Sequence, residues 1–162
     1  MDAVRVSLDG PSVAAHDRLR GTGSFEQAIE GIIASRDVGL PVQVQAVLMS
    51  DTASDAQAVA DLAAQAGAQG LTFLQLLPIG EAAELADGQM LDDRTAAQIV
   101  DAVQAPTGLE IRLRTRKDAE NFTVIRADGR VWRNGPAALS ITAQSALTGP
   151  DGLLLTGRDG SA

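Results

Sequence analysis

The stretch Pro41-Val42-Gln43-Val44-Gln45-Ala46-Val47-Leu48-Met49 decides the fold, because its side chains change character with a period of two. Val42, Val44, Ala46 and Leu48 share one side, and Gln43 and Gln45 are among the residues on the other, which predicts a strand with two unlike faces. Upstream, Phe25, Ile29, Ile32 and Ile33 share one face of a helix that begins at Ser24, whose hydroxyl is placed to cap it with Gln27 three residues on. Gly39 ends that helix. Downstream, an alanine-rich helix runs from about Ala53 to Ala66, with Val59 and Leu62 toward the core and Gly67 and Gly70 closing it.

The same rhythm extends in both directions. Val4, Val6 and Leu8 alternate with Arg5 and Ser7 in a first strand, and Asp9-Gly10-Pro11-Ser12 punctuates it. A third strand over Leu71 to Leu77 is broken by Pro78 and Gly80. After a loop from Glu81 to Leu91, Asp92 caps a helix that turns Ile99, Val100 and Val103 inward. Leu109-Glu110-Ile111-Arg112-Leu113-Arg114 alternates as a fourth strand, and Phe122 to Ile125 with Arg130 to Trp132 flank Ala127-Asp128-Gly129 as a hairpin. Strands alternating with helices predict parallel βα units joined by right-handed crossovers, so the fold class is α/β. The expected organisation is βα units over residues 1–118, a β-hairpin over 119–139 and a turn-rich tail over 140–162.

Composition then narrows the chemistry. The chain of 162 residues contains no cysteine and a single histidine, His16. That supply removes disulfides, thiolate metal sites, cysteine nucleophiles and any iron–sulfur cluster held by this chain's own thiolates. A net charge of -8 argues against a nucleic-acid partner, since a phosphate backbone is repelled on average. No apolar run approaches the roughly 20 residues that span a bilayer, and the start of the chain lacks the pattern of a signal peptide. The expectation is a cytoplasmic protein without a membrane partner.

Parallel strands covered by helices on both faces read as continuous apolar runs. These strands instead keep one apolar row and a second row holding Arg5, Ser7, Gln43, Gln45 and either Thr72 or Gln75. Two readings of the polar row stand side by side: a face that meets a ligand beyond the carboxyl ends of the strands, or side chains that satisfy one another in a packed interior. The third strand leaves its own phase open, because Leu74 or Leu76 accompanies Thr72 and Phe73 or Leu77 accompanies Gln75.

Three strings carry a family resemblance: Val6-Ser7-Leu8-Asp9-Gly10-Pro11, His16-Asp17-Arg18-Leu19-Arg20-Gly21 and Gly23-Ser24-Phe25-Glu26. Together they resemble the middle of the radical S-adenosylmethionine (radical SAM) enzymes, especially the peptide-modifying and sulfatase-maturating branch. Val38 to Val42 running into Gln45 to Leu48, and Leu74 to Gly80, are similar to the family's next two strands. Phe122 to Trp132 resembles the hairpin that opens the family's C-terminal cysteine-rich extension, although Arg133-Asn134-Gly135 stands where a cysteine would follow.

The resemblance implies half of a partial TIM-type barrel, corresponding to the family's fourth to sixth βα units and lacking the three-cysteine loop. It implies S-adenosylmethionine as cofactor and a [4Fe-4S] cluster only if a partner chain supplies it. The open edges of a half barrel imply an assembly, with the N-terminal half of such a barrel or with a second copy of this chain, and a peptide is the implied substrate. In the intact family SAM is cleaved reductively to a radical that abstracts hydrogen, so this chain alone is expected to be inactive. The alternative is a non-enzymatic module that binds a peptide or protein on the same scaffold.

Residue by residue, Ser7 matches a serine that holds polar groups of SAM, and Arg20 matches an arginine able to neutralise its methionyl carboxylate. Gln45 and Gln75 sit where the family lines its lumen, and Gly80 lets an adenine or ribose approach the backbone. Asp9-Gly10-Pro11 reads as a turn-shaping element and His16 as a structural hydrogen-bond hub. Arg112, Arg114, Arg116 and Lys117 read as a solvated basic face, with an anionic partner as the alternative.

Overall fold

β1 (Val4–Ser7) lies parallel to β2 (Val42–Leu48), with Val4 opposite Val42 and Ser7 opposite Gln45. β3 (Gly70–Gln75) adds to the far side of β2, and β4 (Glu110–Arg114) adds to β3, so that the sheet runs β1-β2-β3-β4 with every pair parallel. The computed structural model describes residues 3–80, 82–85, 88–120, 122–125 and 130–146. The turn at 127–129, Glu81 and the end of the tail from 147 lie outside the described residues.

Between the strands come α1 (Val13–Arg20), α2 (Ser24–Asp37), a 3₁₀ turn (Ser50–Asp55) leading into α3 (Ala56–Ala66), the short α4 (Ala82–Leu85) and α5 (Asp93–Ala102). Strand order that follows chain order, with each crossover turning the same way, puts all the covering helices on one face. The core shows this directly. Val42, Val44, Ala46 and Leu48 of β2 and Leu71 and Phe73 of β3 form one buried cluster with Ile32 of α2, Val59, Ala60 and Ala63 of α3, and Ala96 and Val100 of α5. Three alanines of α3 and α5, Ala60, Ala63 and Ala96, are wholly buried there, and their small side chains let these helices lie close on the sheet.

The alternation seen in sequence is thus an alternation between a helix-covered face and an open one. Along β2 burial alternates strictly, with Gln43, Gln45 and Val47 half-buried on the open side. In β4 Ile111 and Leu113 pack toward the core, whereas Glu110, Arg112 and Arg114 are exposed. This α/β arrangement of parallel βα units is consistent with a partial barrel wall.

The chain divides into two compact units, Met1–Leu76 with Gly88–Arg114, and Leu77–Asp87 with Thr115–Ala162. The second carries an antiparallel sheet of β5 (Thr123–Ile125), β6 (Arg130–Asn134) and β7 (Ile141–Ala146), in that order. The expected hairpin is its β5–β6 pair, with Val124 opposite Trp132. The stretch read as a turn-rich tail instead begins with a strand: β7 pairs with β6, Trp132 lying opposite Gln144. Ser140-Ile141-Thr142-Ala143-Gln144-Ser145-Ala146 has one bulky apolar residue, so backbone pairing rather than an apolar stripe makes this strand.

The face assignment has a direct energetic consequence. Phe73 and Thr72 are neighbours in β3, but Phe73 is 2% exposed against the helices and Thr72 is half-buried on the open side. Phe73→Ala is expected to cost about 3–5 kcal/mol through a core cavity. Thr72→Ala is expected to stay within about 0.5 kcal/mol. Urea unfolding of the two variants checks the difference, and similar losses would mean that the faces are assigned wrongly.

Candidate functional site

The site is built where β1 leaves the sheet. The last main-chain bond of the β1–β2 ladder runs from the Leu8 N–H to the Gln45 carbonyl at 2.9 Å. One residue later the Asp9 side chain takes over: Oδ1 accepts from the Val47 N–H at 2.7 Å, so a carboxylate continues the ladder after the backbone has turned away. Oδ2 accepts from Nε of Arg20, the last residue of α1. The Asp9 N–H itself donates to Nδ1 of His16 at 3.0 Å. A single buried residue therefore ties β1, β2 and α1 together.

Gly10 belongs to this joint for a spatial reason. A Cβ there would lie 2.6 Å from the Ala15 Cβ and 2.8 Å from backbone atoms of Ala15 and His16, so the turn closes onto α1 only without a side chain. α1 starts at Ser12, whose hydroxyl accepts from the Ala15 N–H at 3.3 Å. His16 is 2% exposed and its ring meets Phe25 of α2 edge-on, with centroids 6.0 Å apart. Because a backbone N–H can only donate, Nδ1 is the acceptor and the ring proton of the neutral form sits on Nε2.

α1 has no counterpart among the elements expected from sequence, whose first helix begins at Ser24. The helix has eight residues and little apolar patterning, so periodicity gives no signal for it. The start of α2 is correctly placed but differently capped. Gly23, in a left-handed conformation, holds the cap position, and Ser24 donates to Asp17 rather than capping. Asp17 of α1 accepts from the Gly23 N–H at 2.6 Å and the Phe25 N–H at 2.8 Å. The cap thus comes from the preceding helix, and these donors hold the Asp17 carboxyl below its ordinary value of 3.8.

The open face continues from this joint. Register places Ser7 beside Gln45, Gln45 beside Thr72, and Thr72 beside Arg112, one row across four strands. Gln43 lies in the next row over Gly70, where a Cβ would meet its amide oxygen at 2.1 Å. Among the described residues the side chains of Ser7, Gln43, Gln45 and Thr72 have no hydrogen-bond partner in the protein, although all four are half-buried. The reading in which they satisfy one another in a packed interior is therefore not what the structure displays. Arg112 is exposed and forks onto Glu110, with Nε and Nη2 at 3.0 and 2.7 Å from Oε1, as expected for a solvated charged face.

The candidate residues fall into three places. Ser7, Gln45 and Arg20 are brought to the open face and the carboxyl end of β1. Gln75 is not: it stands opposite Leu48 on the helix-covered side, 3% exposed, with Nε2 donating to the Leu91 carbonyl at 3.3 Å. The phase left open in sequence is thereby fixed, and Thr72, not Gln75, is the β3 residue of the polar row. Gly80 lies in the other compact unit, exposed, with φ +66° and open space where a Cβ would be. Asp9, which sequence reading confines to the turn, turns out to be the centre of the joint.

The donor set discriminates between the implied cofactors. Hydroxyl, carboxamide and guanidinium groups suit the ribose, amino and carboxylate groups of SAM. An iron–sulfur cluster does not fit this chain, since the sequence has no cysteine and the described residues contain no group of three or more His, Asp or Glu able to hold a metal ion. Among the described residues no helix is long and apolar enough to cross a membrane.

No protein-family model matches the chain. Over 83 residues, 51% of its length, it is 36% identical to the AdoMet-dependent heme synthase of Nitratidesulfovibrio vulgaris (strain Hildenborough), of which the match covers 23%. Over 81 residues, 49% of its length, it is 33% identical to the protein of the same name from Oleidesulfovibrio alaskensis (strain G20), of which the match covers 21%. The matched stretch is less than a quarter of either relative. Similarity to these AdoMet-dependent proteins thus extends over about half of this chain.

The joint has a pH signature. Burial, the largest influence, lowers the His16 pKa from its ordinary 6.5; the Asp9 carboxylate opposes this, Arg20 adds to it, and Asp17 opposes it. Below 6.5 the unfolded chain binds a proton that the folded chain still refuses, so stability falls as pH drops from 6.5 to the lowered folded value and then levels off. Urea unfolding from about pH 8 to about pH 5 is expected to show this loss in the parent protein. In His16→Asn, whose amide oxygen replaces the Nδ1 acceptor without titrating, the slope is expected to vanish. An unchanged slope would contradict the assignment of a neutral buried imidazole.

Proposed function

We propose that this chain is part of an AdoMet-dependent enzyme of the radical SAM kind, corresponding to the C-terminal portion of its barrel. The observation that carries the reading is the open sheet face, where Ser7, Gln45 and Thr72 stand in one row, half-buried and without a side-chain partner among the described residues, at the end of the sheet where Asp9 anchors Arg20. Sites in sheets of parallel βα units lie beyond the carboxyl ends of the strands, which is where this joint sits.

In this reading SAM supplies the hydrogen-abstracting group, and the chain's own residues bind and orient it. The Arg20 guanidinium pairs with the methionyl carboxylate, the Ser7 hydroxyl serves as donor or acceptor to a neighbouring polar group, and the Gln45 amide and Thr72 hydroxyl extend the polar row toward the substrate. The cluster is held by thiolates outside these 162 residues, which contain no cysteine. Gln75 acts on the covered side by tying β3 to the segment before α5, and Gly80 has no assigned contact with the cofactor. The name of the relatives points to a heme-type macrocycle or its precursor as the substrate class, in place of the peptide implied by the sequence resemblance.

Isothermal titration of the full chain with SAM, alone and with a polypeptide carrying a three-cysteine cluster loop, tests the reading. Binding is expected in at least the paired sample, with Ser7→Ala and Gln45→Ala each weakening it several-fold, as the loss of one hydrogen bond does. No heat in either sample would remove the cofactor role.

A further inference from the structure

Asp9 is the acidic residue just past the end of β1, but its two oxygens are committed. One accepts from the Val47 N–H and the other from Arg20 Nε, and the side chain is 3% exposed. A carboxylate fixed at both oxygens is poorly placed to take a proton from a substrate. Arg20 is its complement in every respect: its side chain is 42% exposed, it is anchored through Nε alone, and among the described residues Asp9 is its one polar partner.

A guanidinium is planar, and its five N–H groups form a rigid fork. Anchoring Nε therefore sets the direction of the two terminal nitrogens as well. We infer that Asp9 is a positioning residue that aims the Nη edge of Arg20 at the carboxylate of a ligand lying beyond the end of β1. This rests on the proposed reading of the site as one that binds SAM.

The pairing reduces the net charge that the ligand meets, so the gain lies in orientation: a long, half-exposed side chain that would otherwise sample many rotamers is held in one. His16 supports the arrangement from behind, since the Asp9 N–H donates to its Nδ1, and the Val47 N–H holds it from the side. Asp9→Asn breaks the device, because an amide with its oxygen on the Val47 N–H turns an NH₂ toward Arg20, donor against donor.

The test compares SAM with decarboxylated SAM, which lacks only the group that Arg20 is inferred to hold. Both are titrated against the full chain in the form that binds SAM, for the parent, Asp9→Asn, Arg20→Ala and the double variant. The parent is expected to prefer SAM by about tenfold, the worth of one charge-assisted contact. Arg20→Ala and Asp9→Asn should each abolish the preference, and the double variant should lose no more than either.

The preference is a ratio measured on one sample, so a partly unfolded variant changes the number of sites but not the result. If Asp9→Asn does not fold at all, His16→Phe keeps a ring in place while removing the acceptor for the Asp9 N–H, and it should lower the preference in the same direction. A preference retained in a folded Asp9→Asn, or in His16→Phe when that variant stands in for it, overturns the positioning role while the SAM reading stands. A parent protein that binds no SAM overturns the reading and the inference with it. A parent that binds both compounds equally removes Arg20 as the carboxylate's partner, and Asp9's role falls with it.

Discussion

The organisation of the carboxyl end of this sheet depends on the bonds made by the Asp9 carboxylate and the Asp9 N–H. β1 is only four residues long, and its ladder to β2 ends at Leu8. Without a side-chain acceptor the Val47 N–H would face the gap where β1 turns away, and a half-buried donor left without a partner costs about 1–3 kcal/mol. Asp9 fills that gap and, with its second oxygen, fixes the end of α1. Gly10 is required next to it because any side chain would collide with the backbone at Ala15 and His16. The position of Arg20 follows from the same joint.

The second constraint is strand order. Four parallel strands laid down in chain order gather their helices on one side and leave the other side to whatever polar residues the strands carry. A doubly wound sheet, with helices on both faces, would need apolar residues at Gln43, Gln45 and Thr72. Among the described residues these side chains have no protein partner, which sets this face apart from one packed under a covering layer. The apolar face alone supplies the packing, through Leu48, Leu71 and Phe73 against α2, α3 and α5.

Much of this was legible in the residues, and the parts that were not share a cause. Period-two alternation located β1, β2 and β4, and the capping aspartate located α5, where Asp92 Oδ1 accepts from the Thr95 N–H at 2.7 Å. Local signals were enough because each depends on residues within a few positions. The phase of β3 stays open in the sequence because Phe73, Leu74, Leu76 and Leu77 are all apolar, and only the register against β2 puts Thr72 on the open face and Gln75 on the covered one. The Asp17 cap on α2, the Asp9 bond to Val47 and the Asp9–Arg20 pair join residues that no spacing rule connects. A glycine at position 10 and an acid just past the end of β1 were the available hints. They pointed to a turn, not to the joint that the turn serves.

The central claim is that the sheet face free of helices, and not the helix side, receives the ligand. Gln57 offers the contrast, since its amide lies on the helix side and is already engaged with Asp61 and with both main-chain groups of Gln104. Side-chain amide resonances of the isotope-labelled protein separate the two faces in one titration with SAM. The account predicts that the Gln45 amide moves while those of Gln57 and Gln75 stay still. Movement of Gln57 with an unmoved Gln45 would contradict it.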